Sequence, residues 1–127
     1  ATRMETTVIS DTVNSSARLE SLNKVYGTNI LISGEIKQSL TSSLKSQCRL
    51  IDRTKVKGKS KMLEVYEVLS ADITSNYEAK METKTTLEKV VKEFFNKKAK
   101  SAANELKKIS KHKKSDSVIQ YWADKLK

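Results

Sequence analysis

The spacing of apolar positions along this chain changes character near residue 71. Before that point the apolar residues come in short runs. "TTVIS" (6–10) is β-branched and predicts a strand. Residues 11–26 follow as a helix. Asp11 or Thr12 is its expected cap, and Gly27 stands where a left-handed residue ends a helix. "NILIS" (29–33) is a continuous apolar run suited to a buried strand, and "GEIKQSL" (34–40) reads as a short helix. "CRLIDRTKVK" (48–57) and "KMLEVYEVL" (61–69) read as two strands joined through "GKS", a hairpin. In the second strand Met62, Glu64, Tyr66 and Val68 point one way and Leu63, Val65, Glu67 and Leu69 the other.

After residue 71 the spacing is helical. Leu87, Val90, Val91 and Phe94 follow i, i+3, i+4, i+7. Ala102, Ala103, Leu106 and Ile109 form a second stripe, and Val118, Ile119, Trp122 and Leu126 a third. "SKHKKS" (110–115) separates the last two, with Ser115 as the expected N-cap. This predicts an all-α tail of about three short helices. Phe94, Phe95, Tyr121 and Trp122 fall on the stripes and are read as core. The junction Ala71–Tyr77 divides the chain into parts 1–70 and 71–127. The fold class expected is α+β.

Composition adds a few exclusions. There are no prolines and three glycines, which favours helix. No run of 18 apolar residues is present, so no spanning helix is expected, and no signal peptide is visible. The chain opens at Ala1 without Met and reads as a fragment or processed product. One cysteine, Cys48, rules out a disulfide framework and suggests a reducing compartment; it is read as a small buried residue. His112 stands alone in a lysine-rich link and is read as a solvated loop residue. The net charge of +10 suits nucleic acid, an anionic membrane or a phosphorylated ligand. Residues 1–70 hold 11 basic and 7 acidic groups and residues 71–127 hold 14 and 8, so the excess is shared. That sharing argues against a nucleic-acid arm.

There is no Ser-His-Asp set, no glycine-rich phosphate loop and no Cys/His cluster. The polar candidates are Thr7, Asn14, Arg18 and Lys57. Asn14 and Arg18, four apart, fall within about 40° on one helix face, although Asn is a mediocre helix former. That face suits a negative group. Lys57 lies in "KVKGKSK" (55–61), where Gly58 permits a close turn and the lysines offer a positive field for phosphate. By pattern alone such a lysine-rich stretch is usually a solvated turn.

"VISDTVNSSARLE", then "YGTNILIS", then "VKGKS" followed by "VYEVL" are linked in an order and spacing that resembles the C-terminal half of class III adenylate/guanylate cyclase catalytic domains. The resemblance covers residues 2–70, and "RMETTVISDTVN" is most similar to the bacterial branch. The tail weakly resembles a degenerate tetratricopeptide helix pair. The resemblance implies the C-terminal part of a ferredoxin-like cyclase sheet, with ATP converted to cyclic AMP for signalling. It implies Asn14 near the ribose, Arg18 stabilising triphosphate charge in the transition state, Lys57 on phosphate and Thr7 on the base. Thr7 favours ATP over GTP, and Asp11 is then a cap. The family uses Mg²⁺ or Mn²⁺ held by two aspartates that lie upstream of Ala1, so this chain alone is expected to be inactive. It also implies a homodimer and a cytoplasmic catalytic part, with sensor or membrane segments upstream. No nucleic-acid partner is expected, and the tail has room for a protein partner. Strand edges left open by an incomplete sheet invite pairing or swapping. The alternatives are a non-catalytic cyclase-like interaction module, a guanylate cyclase, or a basic nucleic-acid-binding domain.

Overall fold

A computed structural model describes residues 17–55, 62–71 and 77–126. Helix α1 (Ala17–Tyr26) leads to strand β1 (Leu31–Ser33), the short helices α2 (Gly34–Gln38) and α3 (Ser42–Lys45), and the strands β2 (Cys48–Lys55) and β3 (Met62–Val68). A 3₁₀ turn (Leu69–Ala71) precedes α4 (Tyr77–Phe95), α5 (Ala99–Lys107), a second 3₁₀ turn (Ser110–His112) and α6 (Ser117–Lys125). The fold is mixed α+β, as the two spacings predict. The expected helix at 11–26 is described from Ala17 onward; the expected strand at 6–10, the end of the expected strand at 48–57, the "GKS" link and Lys61 lie outside the described residues. Among the described residues no helix is long and apolar enough to cross a membrane.

The sheet is antiparallel, in the order β1-β3-β2. Leu31, Glu67 and Arg49 stand in line on one face, and Ile32, Tyr66 and Leu50 on the other. A bulge at Ile51 then sets Asp52 opposite Val65 and brings Asp52 onto the first face. Helices α2 and α3 cover the second face. Lys37 Nζ lies 4.5 Å above the Tyr66 ring, and the Cys48 thiol donates to Leu44 O at 3.4 Å. These helices have 5 and 4 residues, too few to stand alone. Ser33 and Thr41 cap them by accepting from Ile36 N and Leu44 N, both at 3.3 Å.

The hydrophobic core runs through both parts of the chain. Leu31, Ile51, Val65, Leu87, Val90, Ile119 and Trp122 are fully buried in one cluster. Phe94, Phe95 and Tyr121 make edge-to-face contacts with Trp122, so the aromatic residues are core, as their stripes predict. Helix α4 passes along the outer edge of β2. Its Glu88 accepts from Leu50 N at 2.9 Å, and Trp122 of α6 donates to Ile51 O at 2.7 Å.

Four expectations change. The first tail helix is 19 residues long rather than short. Helix α2 stops at Gln38, two residues early. The N-cap of α6 is Asp116, accepting from Val118 N and Ile119 N, and not Ser115. In β3 the alternation does not separate buried from exposed, because helices cover both faces from Val65 onward.

Candidate functional site

Arg18 lies in α1; Thr7, Asn14 and Lys57 lie outside the described residues. Helix α1 is therefore the part of the expected site that the structure places. Arg18, Leu22 and Tyr26 follow at successive i+4 steps, and Leu22 and Tyr26 are buried. The helix ends at Gly27, with φ +69°, where Gly27 N and Thr28 N both donate to Asn23 O, at 2.8 and 3.0 Å. A Cβ added at Gly27 would lie 2.6 Å from Ser117 Oγ, so the turn needs glycine for its close approach as well as for its φ.

The far end of α1 is tied to α6 and the sheet by a polar set. The Tyr26 hydroxyl donates to Asp52 Oδ2, and the Tyr121 hydroxyl donates to the same oxygen at 3.3 Å. The two tyrosine rings meet edge to face with centroids 4.9 Å apart. Burial, then the Asp52 carboxyl, push the Tyr26 hydroxyl well above the usual phenol range, so it stays a donor. Ser117 Oγ donates to Tyr26 O at 2.6 Å and reaches Gly27 O at 3.2 Å. It satisfies carbonyls that a helix end leaves without intrahelical partners.

A second buried set lies on the same sheet face. Arg49 is fully buried. Its Nη1 donates to Asp116 Oδ2 at 2.8 Å, and its Nη2 donates to Glu67 Oε1 at 2.7 Å and Asp116 Oδ1 at 3.2 Å. Lys80 of α4 donates to Glu67 Oε2 at 2.6 Å. Two cations and two carboxylates thus balance where single charges would be too costly to bury. Burial opposes the Arg49 charge, but Asp116 and Glu67 more than offset it and raise its pKa. Burial likewise opposes the Asp116 carboxylate, and Arg49 overcomes this and holds it below the usual range. Cys48 is fully buried, and burial pushes its thiol up to about 11, so it is a structural thiol.

Between the Gly27 turn and the start of α6 lies a cavity of about 480 Å³, walled in part by Asn29, Lys80, Lys113, Lys114, Ser117 and Gln120. Lys113 and Lys114 belong to a wider basic surface. Positions 92–114 hold nine lysines against two glutamates, and all nine lysines are exposed. Comparing the halves of the chain hides this concentration. His112, read as a loop residue, is half-buried in the 3₁₀ turn beside it.

Sequence reasoning missed Tyr26, Asp52, Tyr121, Arg49, Glu67 and Asp116. The available signal was charge inside strands: Arg49 and Asp52 flank the apolar "LI" of β2, and Glu67 lies in "VYEVL". Charges in a buried strand require partners.

About half of the chain is similar to known adenylate cyclases. It is 45% identical over 67 residues, 52% of this chain, to an adenylate cyclase of Anabaena cylindrica. It is 40% identical over 67 residues, 53% of this chain, to adenylate cyclase 1 of Rhizobium meliloti. It is 38% identical over 71 residues, 55% of this chain, to the terminal-differentiation specific adenylate cyclase of Dictyostelium discoideum. The matched stretches are 13%, 10% and 3% of those proteins, so the chain spans a small part of their length. No family model matches the chain. No solved structure matches it. The three similarities support a cyclase-related domain over about half of the chain.

Proposed function

We propose that the whole protein of which this chain is a part converts ATP to cyclic AMP and pyrophosphate. The observation that carries this reading is the 45% identity to an adenylate cyclase over 67 residues, about the length of stretch 2–70. That stretch contains Thr7, Asn14, Arg18 and Lys57 together. In the reaction the ribose 3′-oxygen bonds to the α-phosphorus, the bond to the pyrophosphate oxygen breaks, and the hydroxyl proton leaves. Negative charge builds on the α-phosphate and the departing pyrophosphate. A guanidinium held in place by α1 stabilises that charge more than it stabilises bound ATP. Asn14 holds the ribose, Lys57 the phosphates, and the Thr7 hydroxyl reads the base by donating or accepting. The second active-site half comes from another copy, making a homodimer.

Magnesium or manganese belongs to this chemistry in the whole protein. Among the described residues no three His, Cys, Asp or Glu side chains gather as a metal site. Asp52, Glu67 and Asp116 are engaged by tyrosine, arginine and lysine donors. The described residues do not fit a divalent ion.

The test is turnover by the native-length protein, with ATP and GTP in parallel and Mg²⁺ or Mn²⁺ present. Cyclic AMP is the expected product, and Arg18→Ala lowers kcat by about 10²- to 10³-fold. Cyclic GMP instead would make it a guanylate cyclase. A folded protein giving neither product overturns the reading. An interaction module is the second reading, and the lysine surface favours it. Lys100 and Lys107 stand seven apart on α5, opposite the buried Ala102 and Leu106, and the exposed Lys108 and Lys111 follow just beyond its end. That face suits an acidic protein partner, whose binding would weaken as salt is raised.

A further inference from the structure

We infer that α6 positions the Arg18-bearing helix, with Ser117 and Tyr121 as its positioning residues. This inference rests on the cyclase reading for the role of Arg18, and on the fold alone for the mechanical link. The described part of α1 buries Leu22 and Tyr26, and tertiary packing rather than propensity supplies most of a helix's stability. Its orientation comes from what it touches. The i+4 row of Arg18, Leu22 and Tyr26 turns as one unit. Whatever fixes Tyr26 therefore sets the backbone position from which Arg18 projects.

Tyr26 is fixed at two points, and α6 takes part in both. Its carbonyl accepts from Ser117 Oγ, and its hydroxyl shares Asp52 Oδ2 with Tyr121. Helix α6 is in turn anchored to successive positions of β2. Asp116 holds Arg49, Trp122 holds Ile51 O, and Tyr121 holds Asp52. The Ile51 bulge is what brings Asp52 onto the same face as Arg49. The links from sheet to α6 to α1 run through buried side chains: Arg49, Asp52, Asp116, Trp122 and Tyr26. A shift of α6 along β2 therefore moves α1, and the guanidinium with it. The tail is thus part of the catalytic geometry, not an appendage to it.

The experiment uses the native-length protein carrying Ser117→Ala, Tyr121→Phe, or both. Tyr121→Phe keeps the ring against Tyr26 and removes only the hydroxyl. Two quantities are read: amide hydrogen exchange over residues 17–26 against β3, and kcat and KM for ATP. The expected result for the double variant is exchange in α1 faster by about tenfold with β3 unchanged. The kcat falls about tenfold while KM for ATP stays within about twofold, because the displaced group acts in the transition state. Ser117→Thr, which keeps the hydroxyl, restores kcat in the Tyr121→Phe/Ser117→Ala series to the level of Tyr121→Phe alone. Unchanged exchange in α1 overturns the link between the helices. Faster exchange with unchanged kcat, in an enzyme that makes cyclic AMP, overturns the positioning role. A wild-type protein that makes no cyclic AMP overturns the cyclase reading, and the catalytic half of this inference with it, while the exchange result still decides whether α6 holds α1.

Discussion

The two faces of the sheet are covered in different ways. On the face of Ile32, Leu50 and Tyr66, the cover is two short helices close in sequence, and the contacts are mostly apolar: Leu40, Leu44, Cys48 and Val68 are all buried. On the face of Leu31, Arg49 and Glu67, the cover comes from both ends of the chain, and buried polar groups carry much of the contact. Arg49 and Asp116 are 67 residues apart, and Tyr121 and Asp52 are 69 apart. Apolar contacts tolerate small displacements. A carboxylate shared by two hydroxyls, or an arginine fork across two carboxylates, tolerates far less. The first face gives cohesion; the second fixes helix α1 and helix α6 relative to the strands.

The contrast is sharpest if the centre of the polar face is removed. Arg49→Ala leaves Glu67 and Asp116 buried beside one lysine and is expected to cost about 3–5 kcal/mol, read from urea unfolding. A loss comparable to that of a surface ion pair would show that water reaches this cluster. On the apolar face, Leu44→Ala is expected to cost about 2–3 kcal/mol, the lower part of the range for buried leucine, because α3 has 4 residues and can settle into the space. A larger loss than for Arg49→Ala would reverse the ranking of the faces.

The smallest effect expected is Asp116→Asn, about 1–2 kcal/mol at pH 7, since asparagine still caps α6 and what is lost is the charge facing Arg49. Its pH dependence carries more information than its size. The Asp116 carboxylate is held below its usual value in the fold, so its contribution is complete above the unfolded value of about 4 and lost as pH falls through the folded value. The stability gap between wild type and Asp116→Asn therefore closes on acidification below about pH 4. A gap that stays constant would separate Asp116 from Arg49.

What was legible in the sequence was local. Gly27 ends α1, Cys48 opens a buried strand, and the three tail stripes each mark a helix, because each depends on neighbours within a few residues. The length of α4 was not legible, since its apolar stripe begins at Leu87 while its first two turns bury Lys80 and Thr83. A hydrophobic pattern does not register a lysine whose ammonium meets Glu67. The cap of α6 was misplaced by one residue for a similar reason. Ser115 and Asp116 are both capable caps, and Arg49, far away in sequence, gives Asp116 a second partner. Of the candidate site, the helix bearing Arg18 could be read from its own residues. The roles of Thr7, Asn14 and Lys57 came only through the cyclase resemblance, since a threonine, an asparagine and a lysine in a turn carry no specific chemistry by themselves.

The outer edge of β2 has one more consequence. Leu50 N and Ile51 O are the groups a neighbouring strand would use there, and Glu88 and Trp122 already occupy them. Open-ended stacking of sheets requires two receptive edges on each molecule. Among the described residues, side chains from two different helices already hold these two groups, which disfavours strand pairing at Leu50–Ile51.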